Sequence, residues 1–232
     1  MPTDRSVCIL IHMDDPQSEM PRAPDSRDKI LEVAEGLFAY GGYAGVGMRQ
    51  LASMVGLSKS SLFHHFPTKL DLYASVLDRV LSRIEAGLDG ARPRTDSPEA
   101  RLTAWIDAAV QTLSEDVPAG RLMMRALVDE EPFPALELKP GPGSGREPMS
   151  FEVRLARILG RFEGLLASGI EQGVFRPVSI GDTILSVIGS IILHFASGDL
   201  GEILIGEPIF SGAAVERRRR ELSEFIQRGL LA

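Results

Sequence analysis

Two adjacent histidines, His64 and His65, stand in the stretch GLSKSSLFHHF at 56–66. Imidazoles are the side chains readiest to hold a metal or move a proton near neutral pH. Their spacing argues against both uses as a pair. Neighbouring helical positions point about 100° apart, whereas metal ligands on one helix recur at i and i+3 or i+4. The single cysteine, Cys8, cannot build a multi-cysteine zinc or iron–sulfur site. Asp129-Glu130-Glu131 offers neighbouring carboxylates, yet it precedes a proline-rich stretch and has no partner motif, so solvated charge is the better reading. Neither Gly-x-Ser-x-Gly nor His-Glu-x-x-His occurs. The expectation is a protein that is not an enzyme and that uses no metal and no cofactor.

What remains for such a cluster is a binding surface. The chain has 232 residues, 44% hydrophobic and 25% charged, the balance of a globular protein with a sizeable core. Its net charge of −7 provides no global positive field, so any nucleic-acid surface must be local. Arg217-Arg218-Arg219-Arg220 looks like such a surface, but four consecutive helical residues spread around the cylinder between Glu216 and Glu221. A solvated or intersubunit helix face is expected there. The apolar run Val7 to Ile11 is flanked by Asp4, Asp14 and Asp15, unlike a signal peptide. Ile184 to Ala196 falls short of the roughly 20 residues that span a bilayer. A cytoplasmic protein with no membrane partner is expected.

The elements that position the cluster follow from periodicity. Residues 1–24 carry four prolines and no period and are expected to be a disordered lead, with His12 to Asp15 in it assigned no role. A helix opening at Asp25-Ser26 uses Ile30, Leu31, Ala34, Leu37 and Phe38 as one face and ends at Gly41-Gly42. Two short helices follow, Arg49 to Val55 and Lys59 to His65, separated by Gly56 and with Ser58 as the second one's cap. Pro67 stops the pair, and Thr68 opens a capping box with Asp71 for a long helix through Tyr73, Leu77, Val80, Ile84 and Leu88. Further helices are expected from Ser97-Pro98 through Leu113, at 120–130, 150–172, 180–197 and 212–230, with a loop at 131–148. The fold class is all-α with about nine helices.

Ala52-x-x-x-Gly56, with Leu51 and Val55 before the bend and Leu57 and Leu62 after it, has helix-turn-helix spacing. The small Ala52 lets the helices cross closely. Lys59, Ser60, Ser61 and His64 remain outward on the second helix, small donors and a cation suited to the edges of base pairs in a major groove.

At this point residues 27–77, RDKILEVAEGLFAYGGYAGVGMRQLASMVGLSKSSLFHHFPTKLDLYASVL, resemble the DNA-binding domain of the tetracycline-repressor (TetR) family of transcriptional regulators. The resemblance implies that Arg49 reaches a base or phosphate, that Lys59, Ser60 and Ser61 face bases, that His64 presses on the backbone, and that His65 and Lys69 contact phosphate. The family usually starts its second helix with Thr or Ser, where this chain has Gly47-Met48, and Phe63 stands for the usual Tyr. Over residues 26–72 the cations Arg27, Lys29, Arg49, Lys59 and Lys69 face Asp28, Glu32, Glu35 and Asp71, a thin positive excess.

The resemblance further implies a three-part layout: the lead at 1–24, a helix-turn-helix domain at 25–67, and a ligand-sensing and dimerisation domain at 68–232. Expected partners are double-stranded DNA bearing a palindromic operator, a small-molecule effector, and a second copy joined through the last two helices. Trp105, Met123, Phe162 and His194 are the candidates for lining an effector cavity. A helical carrier of apolar molecules with weak or lost DNA binding is the other reading.

Overall fold

The computed structural model of the chain describes residues 26–128 and 148–232. The expected disordered lead, Cys8, the Asp129-Glu130-Glu131 cluster and nearly all of the loop at 131–148 lie outside the described residues. Within them the fold is all-α: α1 (Ser26–Gly45), α2 (Met48–Val55), α3 (Lys59–His65), α4 (Lys69–Gly90), α5 (Pro98–Ser114), α6 (Val117–Val128), α7 (Ser150–Glu171), α8 (Ile180–Ala196), α9 (Asp199–Ile205) and α10 (Gly212–Leu230). That is ten helices among the described residues, one more than expected. The addition is α9, seven residues between Gly198 and Gly206, too short for a 3.6-residue period to declare itself. Among these residues no single helix is long and apolar enough to cross a membrane.

Local chemistry explains the boundaries. Ile30, Leu31, Ala34 and Phe38 are buried along α1, and Gly42 (φ 67°, ψ 174°) breaks the helix where Gly41-Gly42 is expected to end it. The chain then continues helically to Gly45. Gly56 closes α2 in the left-handed region at φ 74°, which a side chain would strain. The Ser58 hydroxyl accepts from the Ser61 N–H at 3.1 Å and caps α3. Thr68 and Asp71 exchange side-chain-to-backbone bonds of 3.0 Å each, a full capping box for α4. Ser97 caps α5 with Pro98 at its first position, as expected.

Beyond α4 the helices form one packed body. α4 and α7 run side by side in the same direction, fastened by a ladder of ion pairs. Arg154 holds Asp78 at 2.9 Å and Glu85 at 2.6 Å, Arg157 holds Glu85 at 2.6 Å, and Arg161 holds Asp89 at 2.7 Å. α8 packs on α6 and α7, and α10 on α5. Of the two expectations for the four-arginine run, a solvated or an intersubunit helix face, the solvated one does not hold for three of its residues. Arg217 pairs with Glu207, Arg218 donates to the Ser190 carbonyl at 2.6 Å, and Arg219 reaches Glu216 at 3.1 Å and Asp107 at 3.4 Å. Arg220 alone of the four is exposed. The run fastens α10 into the fold because carboxylates and carbonyls of neighbouring elements meet three of its four directions.

Candidate nucleic-acid interface

α2 and α3 meet through Leu51, Ala52, Val55 and Leu62, all buried, with the Leu57 N–H returning to the Ala52 carbonyl at 2.9 Å across the Gly56 bend. This leaves one side of α3 outward. Lys59, Ser60 and His64 are exposed, and Ser61 is half-buried. Lys59 lays its ammonium over the Phe63 ring, 5.4 Å from the centroid, which keeps the long side chain along the helix surface. The hydroxyls of Ser60 and Ser61 lie 2.9 and 2.8 Å from that of Ser58. Sequence spacing shows that these serines face outward but not that their hydroxyls gather on the cap.

The flanking cations surround this face. Arg49 is exposed in the first turn of α2. Lys69 begins α4 and turns its ammonium back over Tyr43, 4.5 Å from the ring centroid and 3.3 Å from the Ala44 carbonyl. His64 and His65 stand 6.0 Å apart, ring centre to ring centre, at 68°. Edge-on rings at that separation do not form a bidentate site, and among the described residues no group of three or more metal-ligating side chains comes together. Gly47, before α2, offers no side-chain cap.

A second polar cluster ties this unit to the rest of the molecule. Glu35 of α1 is buried and shares the Arg83 guanidinium of α4 with Asp116, which lies between α5 and α6. Burial pushes the Glu35 carboxyl from 4.5 up to about 7; the Arg83 hydrogen bond opposes the rise and Asp116 adds to it. From α6, Arg125 donates to the Ala39 carbonyl at 3.1 Å and the Tyr40 carbonyl at 3.3 Å, and Arg121 lies over the Tyr40 ring at 4.8 Å. Sequence reasoning missed Glu35, although its place four residues after Leu31 on the apolar face of α1 marks it as a buried acid in need of a partner.

The four candidate effector residues lie on four different helices, Trp105 on α5, Met123 on α6, Phe162 on α7 and His194 on α8. Trp105 and Phe162 stack at 4.1 Å and 11°, the tryptophan half-buried and the phenylalanine fully buried beneath it. Met123 is buried on α6. His194 lies on α8, edge-on to Phe195 at 4.9 Å. Burial, then the charges of Arg218 and Arg217, drive its imidazole down to about 4, so it is neutral near pH 7.

Comparison with known proteins agrees with this geometry. Residues 30–76 match the family described as bacterial regulatory proteins, tetR family. The transcriptional activator FasR of Mycolicibacterium smegmatis is 31% identical over 122 residues, 53% of this chain and 55% of that protein. The transcriptional repressor KstR of Mycobacterium tuberculosis is 28% identical over 114 residues, 49% of this chain and 52% of that one. The chain thus spans about half the length of these curated relatives. In overall shape it is similar to the TetR-family regulator PfmR of Thermus thermophilus, with a TM-score of 0.66 at 24% identity over 90% of this chain and 100% of that one. The helix-turn-helix residues and their outward face thus carry a similarity to the tetR family of bacterial regulatory proteins at residues 30–76, and the all-helical body behind them shares its fold with PfmR.

Proposed function

We propose that the chain is a DNA-binding transcriptional regulator that grips a palindromic operator as a two-fold homodimer and lets go when a small molecule enters its second domain. In this reading residues 25–67 hold DNA, residues 68–232 sense and dimerise, and α4 links the two. The observation that carries it is the outward face of α3. Lys59, Ser60 and His64 stand free of the core on a two-turn helix that a left-handed glycine bend holds against α2. Lys59 and Ser60 address base edges, and Ser61 reaches them by exchanging its bond to Ser58. Arg49, His65 and Lys69 take phosphates, and His64 lies against the backbone.

One two-turn helix reads too few bases for specificity, which favours a dimer. Leu185 and Leu193 on α8 and Phe225 on α10 are exposed by 72%, 59% and 74%, a large apolar surface on the two helices expected to join copies. Release of DNA follows if the effector prefers a spacing of the two α3 helices that no longer matches successive grooves. The same release makes the protein a repressor wherever its operator overlaps a promoter. The bare Gly47 cap favours the second reading, a carrier with lost DNA binding. Selecting bound sequences from random DNA with the full chain decides between them. The expected result is an inverted repeat with half-sites about one helical turn apart; no enriched repeat would overturn the regulator reading.

A further inference from the structure

We propose that a proton held between Glu35 of α1 and Asp116, at the corner between α5 and α6, latches the helix-turn-helix unit to the second domain, so that DNA affinity falls as the pH rises past neutrality. The latch is a device of the free chain; its consequence for DNA rests on the regulator reading above.

The geometry sets an imbalance of charge. Glu35 and Asp116 meet the same terminal nitrogen of Arg83, Nη2, and their side chains are only 6% and 19% exposed. Two carboxylates on one guanidinium leave a negative charge without a partner in a site that water scarcely reaches. The neighbouring charges are turned elsewhere. On α4, Arg79 donates to the Asp28 carbonyl at 3.0 Å, and Asp78 and Glu85 face Arg154. On α6, Arg125 donates to the Ala39 and Tyr40 carbonyls and Arg121 lies over the Tyr40 ring. Arg49 of α2 is exposed, as are Glu32, a turn earlier on α1, and Glu115 beside Asp116. A proton on Glu35 supplies the missing charge. It turns repulsion between the two acids into a hydrogen bond donated by the Glu35 carboxyl to the Asp116 carboxylate, and leaves Arg83 one anion to neutralise. Burial, helped by Asp116, accordingly raises the Glu35 carboxyl to about 7 against the opposing Arg83 bond.

The place of this junction gives the proton its reach. α1 packs on α6, α4 and α2, and α2 carries α3, so the seat of α1 sets where the reading helix stands. Loss of the proton restores the repulsion, and α1 leaves its seat in a growing share of molecules. Only the seated share presents α3 at one spacing, so apparent affinity falls in proportion to that share. By linkage, binding DNA takes up the proton in return. Imidazoles also titrate near neutrality, and His64 and His65 stand on the DNA side, so the latch is isolated only against a variant that keeps both histidines.

Glu35→Gln is that variant, with an uncharged side chain at every pH. Two ratios of variant to parent are measured on the full chain from about pH 6 to about pH 8. The first is the hydrogen-exchange protection of the α1 amides from Glu35 to Gly45, corrected for the intrinsic rate at each pH, and it needs no DNA. The second is affinity for the inverted repeat recovered by selection from random DNA. Both ratios should rise by at least about fivefold across the range. Asp116→Asn should flatten the parent's response as well, because an ionised Glu35 then has Arg83 to itself; a purely structural role for Glu35 would leave that response in place. A flat exchange ratio, an Asp116→Asn variant that keeps the parent's response, or a rising exchange ratio with a flat affinity ratio overturns the proposal. If no repeat is enriched, the regulator reading alone is wrong, and the exchange ratio still decides the latch.

Discussion

Lys59 and Ser61 make unequal predictions because the structure holds them differently. The lysine ends on an aromatic ring and can swing to a base without losing a hydrogen bond, whereas the serine must leave Ser58, 2.8 Å away. Lys59→Ala should therefore relax base preference at one half-site position by about 1–3 kcal/mol, and Ser61→Ala by less. Binding titrations on single-base operator variants check this, and equal preference across all variants for both mutants would count against α3 as the reading helix. Lys69→Ala should weaken every sequence alike and flatten the salt dependence by about one unit of slope; an unchanged slope would remove Lys69 from the phosphate contacts. The outward set on α3 was legible from spacing alone, since Leu62 must face inward and its neighbours therefore cannot. The clustering of three serine hydroxyls was not, because rotamers on an exposed turn leave no mark on periodicity.

Caps and apolar faces made most elements readable. Ser58, Thr68 and Ser97 each cap where their spacing says they should. What stayed hidden is what joins elements across long separations. The arginines of α7 at 154, 157 and 161 and the acids of α4 at 78, 85 and 89 each repeat at helical spacing, yet nothing local says that the two rows face each other. The Glu35–Arg83–Asp116 junction is of the same kind, and it carries a pH prediction. With its carboxyl raised from 4.5 to about 7, folded Glu35 keeps a proton that the unfolded chain releases, so its contribution to stability falls as pH rises through that window. His194, driven down from 6.5 to about 4, works the opposite way and costs stability as pH falls below about 6.5. Glu35→Gln isolates the first effect. The melting temperature of this variant minus that of the parent should climb between about pH 5 and pH 8; a flat difference would show that Glu35 does not titrate there.

At the scale of the molecule, two copies are expected to meet over α8 and α10. Phe225→Asp places a charge where a 74% exposed aromatic ring stands. Sedimentation should then report a monomer, with operator affinity lost while single half-site contacts persist; a dimer that survives the substitution would move the interface elsewhere. A less visible consequence lies in α4. Its 22 residues are unbroken from the Thr68 cap to Gly90, which at 1.5 Å per residue makes a rod of about 33 Å. A tilt of about 5° pivoting at one end carries the other through about 3 Å, close to the 3.4 Å between stacked bases. In the regulator reading, a displacement of that size at one end of α4 is matched to a shift of α3, seated at the other, by about one step of the double helix.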